Sequence, residues 1–252
     1  MTTPLTFLVT GASSGFGSAI TRRAVRDGHR VVAAARRRDR LDELAAELDD
    51  KVLPLTLDVT DAAAVVRLPD RLPEAWRDID VLVNNAGLAL GMDPAPSAKL
   101  SDWDTMVAVN ITGLIHVTRA LLPGMVARDR GHIVNLGSVA ATYPYPGGHV
   151  YGASKAFVAQ FSLNLRADLI GTGVRVTDLE PGLVGGSEFS EVRFGSAERA
   201  AKVYEGTTPM TAEDIAEAVA WVVGLPAHFN VNRIEMMPTC QASQALAIKR
   251  RT

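Results

Sequence analysis

Tyr151 and Lys155 are the residues whose types and spacing can do chemistry. They stand four apart, just after the Gly147-Gly148 turn. They open a run in which Phe157, Phe161, Leu165 and Leu169 recur at helical spacing. On a helix, positions i and i+4 share one face, so phenol and ammonium can approach one point. A cation beside a phenol favours the phenolate. At about 4 Å and an effective dielectric of about 20, the attraction is about 4 kcal/mol. That brings a phenol from about 10 towards about 7. A tyrosine so tuned trades a proton with an alcohol or a carbonyl near neutral pH. Alone, a Tyr-x-x-x-Lys pair on a helix surface is more often chance than a site. The rest of the chain has to carry the argument.

The elements that would position this pair begin at the N-terminus. Residues 5–10 are β-prone and almost continuously apolar, as a buried parallel strand requires. They run into Gly11-Ala12-Ser13-Ser14-Gly15-Phe16-Gly17, and then into a helix with Ala19, Ile20, Ala24 and Val25 on its apolar face. Strand, glycine turn and helix form the context for dinucleotide binding. Glycines let backbone approach a pyrophosphate, and the helix start supplies free N–H groups. Gly11, Ser13, Ser14, Gly15, Phe16 and Gly17 are therefore candidate cofactor residues. Residues 30–35 read as the second strand, followed by Arg36-Arg37-Arg38. An acid at this point would bind ribose hydroxyls and repel a 2′-phosphate, whereas an arginine grips the phosphate. Arg36 and Arg37 thus point to NADP(H) over NAD(H). The bland alternative is a solvated basic start to an exposed helix over 39–50.

The alternation continues. Residues 52–57 read as a third strand ending at Asp58-Val59, and Asp61 as the cap of a helix running to Leu72. A fourth strand over 80–83 leads into Asn84-Asn85-Ala86-Gly87. Ser101 to Asp104 has the pattern of a capping box for a long helix to about Arg128, with Asn110 inside it. A fifth strand over 133–136 ends at Gly137-Ser138, and a sixth over 173–179 precedes Glu180-Pro181-Gly182. The mixed stretch 183–205, with Gly185-Gly186 as a hinge, reads as part of a substrate lid over about 183–210. Thr211 caps a helix to Val223, and 233–237 form the last strand. Lys249-Arg250-Arg251 reads as a solvated terminus. The expected architecture is α/β, with residues 1–252 as one doubly wound domain.

Composition narrows the function. The 252 residues are 47% hydrophobic and 21% charged, with a formal net charge of −2. That balance makes no electrostatic case for nucleic acid or an anionic membrane. A single cysteine, Cys240, excludes an internal disulfide and fits a cytoplasmic protein. Cysteine and histidine spacing suggests no metal site. No signal-peptide order is present at the N-terminus. No uninterrupted apolar run is long enough to span a bilayer.

Taken jointly, the glycine turn, Asn84-Asn85-Ala86-Gly87, Asn110, Ser138 and Tyr151-x-x-x-Lys155 resemble the short-chain dehydrogenase/reductase family over essentially the whole chain. The resemblance implies a Rossmann-like, seven-stranded parallel sheet and nicotinamide-dependent oxidoreduction. It implies Tyr151 as general acid/base, with Lys155 lowering its pKa and holding the nicotinamide ribose. Ser138 would orient the carbonyl, and Asn110 would anchor a proton-relay water. Gly11, Gly15 and Gly17 would line the pyrophosphate. Asp58 and Val59 would meet the adenine, and Asn85, Ala86 and Gly87 the region beside the adenosine ribose. Backbone from Pro181 and Gly182 to Val184 would meet the nicotinamide amide. The family's usual Thr is absent where Gly185-Gly186-Ser187 stands, so Ser187 would substitute.

Within the family, residues 85–92, 180–190 and 225–228 are similar to the bacterial NADP-dependent 3-hydroxy acid dehydrogenases. That likeness implies small anionic substrates: serine, 3-hydroxypropionate and malonic semialdehyde, or sulfoacetaldehyde in similar relatives. An anion needs a cation, and Arg193 is the candidate, with Tyr145, Ser138 and Tyr151 completing the substrate site. The family also implies a homotetramer. The competing readings are a reductase of a bulkier carbonyl and a non-catalytic NADP(H)-binding sensor.

Overall fold

A computed structural model describes residues 4–243. The basic stretch Lys249-Arg250-Arg251 lies outside the described residues. Seven parallel strands form one sheet in the order β3-β2-β1-β4-β5-β6-β7. β1 (Thr6–Thr10) and β2 (Arg30–Ala35) flank α1 (Gly15–Arg26) in sequence. After α2 (Arg38–Leu48) comes β3 (Val52–Thr56), an edge strand. Its Pro54 removes one ladder donor, which an edge tolerates. Two apolar clusters fill the two faces. Val9, Val83, Val134 and Leu179 pack with Ile20 of α1 and Leu41 of α2 on one side. Leu8, Val32, Leu82, Ile133 and Val176 occupy the other. Strands covered on both faces must be apolar throughout, so the central β1 and β4 show no alternation.

The helix expected over 61–72 is two short helices, α3 (Ala62–Val66) and α4 (Leu68–Arg71). Pro69 lies in the first turn of α4, where a missing N–H costs least. Asp61 caps α3 as expected, accepting from the Ala64 N–H at 2.9 Å. β4 (Val81–Asn84) follows.

The capping box expected at Ser101 does not form. α5 (Leu100–Val107) starts two residues earlier than that cap implies, with Lys99 at its N-cap and no side-chain cap. Ser101 is already inside the first turn, and its carbonyl accepts from the Thr105 hydroxyl at 2.7 Å. A π-turn over Ala108–Gly113 then passes into α6 (Leu114–Ala127). Gly113 lets this segment approach β3's continuation; a Cβ there would stand 2.7 Å from Val59 Cγ2. The combined stretch Leu100–Ala127 has 28 residues, and an 18-residue window within it has a mean hydropathy of 1.4, enough by length and composition to cross a membrane. Asp102, Asp104, Asn110, His116 and Arg119 break its apolar run. Burial of Val117, Leu121 and Met125 in the core on this face accounts for the apolar composition.

β5 (Gly131–Leu136) leads to α7 (His149–Asp168). β6 (Val174–Pro181) runs two residues past the expected end, carrying Glu180 and Pro181 into the sheet. The lid stretch is not unstructured. It contains α8 (Phe189–Phe194) and α9 (Ala197–Tyr204), and Val184 bridges Met210. Thr211 and Asp214 form the expected capping box of α10 (Ala212–Val223). β7 (Arg233–Met236) closes the sheet. The carboxyl ends of β1, β4, β5 and β6 meet at one edge. β1 and β4 are neighbours where the strand order reverses, the place where doubly wound sheets bind ligands.

Candidate active site

The glycine turn is built for close approach. Gly11 (φ +67°) and Gly15 (φ +51°) take left-handed backbone that other residues rarely adopt. A Cβ on Gly11 would stand 2.9 Å from Asn85 Nδ2, and one on Gly17 would collide with the Gly11 carbonyl. Asn85 clips the turn from β4, its Nδ2 donating to Thr10 O at 2.8 Å and Gly11 O at 3.2 Å. Ser14, the N-cap of α1, makes no side-chain bond to the first turn. The opening N–H groups of α1 thus lack a side-chain cap, as an anion site needs.

The three arginines divide. Arg38 pairs with Asp42 at 2.8 Å on the outer face of α2. Arg37 turns inward: Nη2 donates to Ser14 Oγ at 2.7 Å, and Nη1 lies 2.9 Å from Glu188 Oε2. Arg36 lines the same cavity and acts on Asp58. Burial pushes the Asp58 carboxyl up, but Thr60 and the Arg36 charge hold it below the usual range. The Asp58 Oδ1 accepts from Thr60 N at 2.9 Å. The cavity holds about 350 Å³, with Ser13, Phe16, Val59, Ala86, Gly87 and Ser187 also in its wall. Tyr151 and Lys155 close its far end.

The expected catalytic set converges there. Ser138, in extended backbone after β5, donates to Pro181 O at 3.5 Å and accepts from Ala140 N at 3.2 Å. Asn110 sits in the π-turn. Its Nδ2 donates to Leu88 O at 2.8 Å and Ser154 Oγ at 3.0 Å, and its Oδ1 accepts from Leu88 N at 2.9 Å. Both amide protons are therefore used, so the side chain has none to give a relay water. Lys155 Nζ donates to the Leu136 carbonyl at 2.6 Å and lies 5.9 Å from the Tyr151 ring centroid.

The electrostatics correct one expectation. Tyr151 is pushed up to about 12, not lowered towards 7. Burial dominates; the Ser138 hydroxyl and the Arg193 charge pull the other way, while Tyr145 adds to the rise. Lys155 is brought down to about 8 by its own burial, against the charge of Asp178. Desolvation acts on both members of the pair, so helical spacing alone overstated the gain.

The residues expected to meet a substrate anion also come together. Arg193 Nη2 donates to the Tyr145 hydroxyl at 2.8 Å, and its Nε reaches Gly91 O at 3.4 Å. The guanidinium carbon lies 5.1 Å from the Tyr145 ring centroid and 5.5 Å from that of Tyr151. Among the described residues, no carboxylate pairs with Arg193.

Pro181, Gly182 and Val184 are not part of the cavity lining. The Gly182 N–H donates to Met236 O at 2.8 Å, and the Leu183 N–H to Gln241 Oε1 at 2.6 Å. The Val184 carbonyl accepts from Tyr204 at 3.1 Å. Among the described residues the Val184 N–H has no acceptor, so it is the donor this loop can offer a carboxamide.

Sequence reasoning missed four residues. Leu136 holds Lys155 by its carbonyl, and Ser154 bonds Asn110. Phe189 sets its ring 5.8 Å from that of Tyr151, and Glu188 joins the lid to Arg37. Ser154 was within reach, one residue before Lys155 on the same helix. The others depend on which loops meet.

A dinucleotide fits this arrangement: an uncapped helix start, glycines where a Cβ would clash, arginines beside the adenosine end, and a Tyr–Lys pair beyond. The model of the short chain dehydrogenase family matches residues 5–194. The NADP-dependent 3-hydroxy acid dehydrogenase YdfG of Salmonella typhi is 60% identical over 244 residues, which is 96% of this chain and 98% of that protein. The serine 3-dehydrogenase of Agrobacterium fabrum is 50% identical over 246 residues, 97% of this chain and 98% of its own. A serine dehydrogenase solved in its closed form with NADP+ superposes with a TM-score of 0.96 at 56% identity, covering 98% of this chain and 100% of that one. With its fold, its site and its sequence in agreement, the chain belongs to the short-chain dehydrogenase family.

Proposed function

We propose that this protein is an NADP-dependent oxidoreductase for short 3-hydroxy acids and their semialdehydes, or for the analogous sulfonates. Bound NADP(H) supplies the hydride acceptor or donor for the substrate's hydroxyl-bearing carbon. Tyr151 moves the proton on the substrate oxygen, Ser138 orients that oxygen, and Lys155 supports the charge on Tyr151. Arg36 and Arg37 favour the 2′-phosphate form of the cofactor, in keeping with the NADP+ held by the serine dehydrogenase it resembles.

The observation that carries the substrate class is Arg193. A guanidinium without a carboxylate partner lies 5.5 Å from the ring centroid of the proton-transferring tyrosine. A carboxylate or sulfonate two or three bonds from the reacting carbon would satisfy it. The likeness to 3-hydroxy acid and serine dehydrogenases supports this reading.

The test is NADPH oxidation with malonic semialdehyde and sulfoacetaldehyde side by side, with NADH as control. Turnover of at least one aldehyde with NADPH is expected. Activity with NADH alone would remove the phosphate role of Arg36 and Arg37. Little activity on either aldehyde would favour a bulkier carbonyl. Arg193→Ala should raise KM for the anionic aldehyde by about 10- to 100-fold, as loss of a charge-assisted contact implies. A neutral short aldehyde should be nearly unaffected; equal losses on both would sink the anion pocket.

A further inference from the structure

The hinge of the lid is bridged by a side chain that the chemistry above does not use. Val184 lies before Gly185-Gly186, and Ser190 lies after it as the second residue of α8. Both are met by Tyr204, the last residue of α9. The Tyr204 hydroxyl donates to the Val184 carbonyl at 3.1 Å and lies 2.6 Å from Ser190 Oγ. A phenol has one proton to give, so Ser190 is the donor to Tyr204. Ser190 and Val184 are both buried, which keeps water from competing for these bonds. Between the two anchors, Ser187, Glu188 and Phe189 line the cofactor cavity. Gly186 takes left-handed backbone at φ +70°, with nothing within 4 Å of where a Cβ would stand. That is the freedom a hinge needs, and Tyr204 spans it.

Tyr204 is a fixed post. Its carbonyl accepts from the Thr207 N–H at 3.0 Å and from the Thr207 hydroxyl at 2.8 Å. Val184 is fixed as well. Beside it, the Gly185 N–H donates to Met210 O at 2.8 Å, and the Met210 N–H to Leu183 O at 3.1 Å. α8 is the partner with least support of its own, because six residues are too few to hold a helix in water. Its outer ties are the ion pair of Glu188 with Arg37, and the Gly91 N–H, which donates to Arg193 O at 3.0 Å. The ion pair is exposed on both sides and holds little. Arg193 stands three residues after Ser190 and so shares a helix face with it. What fixes Ser190 therefore fixes where the guanidinium is carried. We propose that Tyr204 is a positioning residue that staples the lid hinge and so aims Arg193 at the substrate anion. This role rests on the anion contact assigned to Arg193. Tyr204 is outside the cavity lining, so it acts through α8.

Hydrogen exchange reads the staple in the protein without ligand. The Val192 and Gly195 N–H groups donate to Glu188 O at 2.9 Å and Glu191 O at 2.8 Å, and they report on α8. Tyr204→Phe and Ser190→Ala should each speed exchange there by about 3- to 10-fold, the worth of one hydrogen bond, with the sheet unchanged. Both cut one chain of bonds, so the double variant should exchange no faster than Tyr204→Phe. Kinetics then read the aim of Arg193. Tyr204→Phe should raise KM for malonic semialdehyde by about 3- to 10-fold and change that for propionaldehyde far less. On an Arg193→Ala background the same substitution should add nothing. Unchanged exchange in both single variants overturns the proposal. So does a KM rise equal for the two aldehydes, or one that persists in full beside Arg193→Ala. Should Tyr204→Phe fail to fold, Ser190→Ala carries both measurements. Failure of the anion contact itself is a separate outcome. Arg193→Ala would then leave KM for malonic semialdehyde where it was, removing the target of the staple, and exchange alone would still decide whether the hinge is stapled.

Discussion

Tyr151 works from a wall that favours its neutral form. Burial lifts it to about 12, so the phenolate forms only as pH rises. In the proposed reaction the base for oxidation is the phenolate, and the acid for reduction is the phenol. Oxidation should therefore climb with pH through the neutral and alkaline range, towards tenfold per pH unit while chemistry limits. Reduction should stay level and then fall on the alkaline side. Lys155, brought to about 8, loses its own charge in the same window, which flattens the oxidation slope above about pH 8. Initial rates in both directions across pH check this, and a flat oxidation profile would contradict it. Tyr151→Phe should lower turnover by about 100-fold or more with NADPH binding retained. The residue types were legible because each demands specific chemistry: a phenol, an ammonium, glycines, paired arginines. Their balance was not, because desolvation depends on Phe189, which reaches Tyr151 from a segment distant in sequence.

His132 shows how an element can carry a pH dependence of its own. It sits on β5 at 3% exposure, with Nε2 2.9 Å from the Thr177 hydroxyl on β6. Burial, aided by the Arg175 charge, lowers it to about 3. The native pKa is depressed, so its contribution to stability is complete above the unfolded value of about 6.5 and is lost as pH falls towards 3. By pH 5 the loss is about 2 kcal/mol. Asp178, lifted to about 8, acts oppositely: its contribution is lost as pH rises through 8. The net curve mixes the two, so the informative quantity is a difference. Urea midpoints of the parent and His132→Gln should converge from pH 7 to pH 5. Parallel curves would show that His132 is not the source. The strands themselves were legible from apolar runs, and α3 and α10 from the caps at Asp61 and Thr211. The π-turn was not, because Gly113 meets Val59 only after β3 and α6 are in place. The helices within the lid were hidden by mixed composition. The capping box at Ser101 was misread because the N-cap lies two residues earlier, at Lys99.

At the scale of the whole molecule, α7 raises the question of assembly. The stripe Phe157, Phe161 and Leu165 divides in the structure. Leu165 is buried in the core, Phe161 packs against it, and Phe157 reaches the surface. Phe157 stacks on Phe161 with ring centroids 5.8 Å apart. Leu163, further along α7, is 48% exposed, and Val107 at the end of α5 is 41% exposed. Large apolar groups left outside on two long neighbouring helices suit a symmetric contact between copies. We propose that the chain is a homotetramer built in part on this face. Light scattering coupled to size exclusion should then give four times 26.9 kDa. Phe157→Glu should lower that mass while native helical content is retained. Tyr151 and Lys155 lie on the first turns of the same helix, so splitting the assembly removes a brace from the site. Turnover per chain should then fall on dilution in the variant at concentrations where the parent stays active. A parent that elutes as a monomer, fully active, would show that α7 is held by its own core alone.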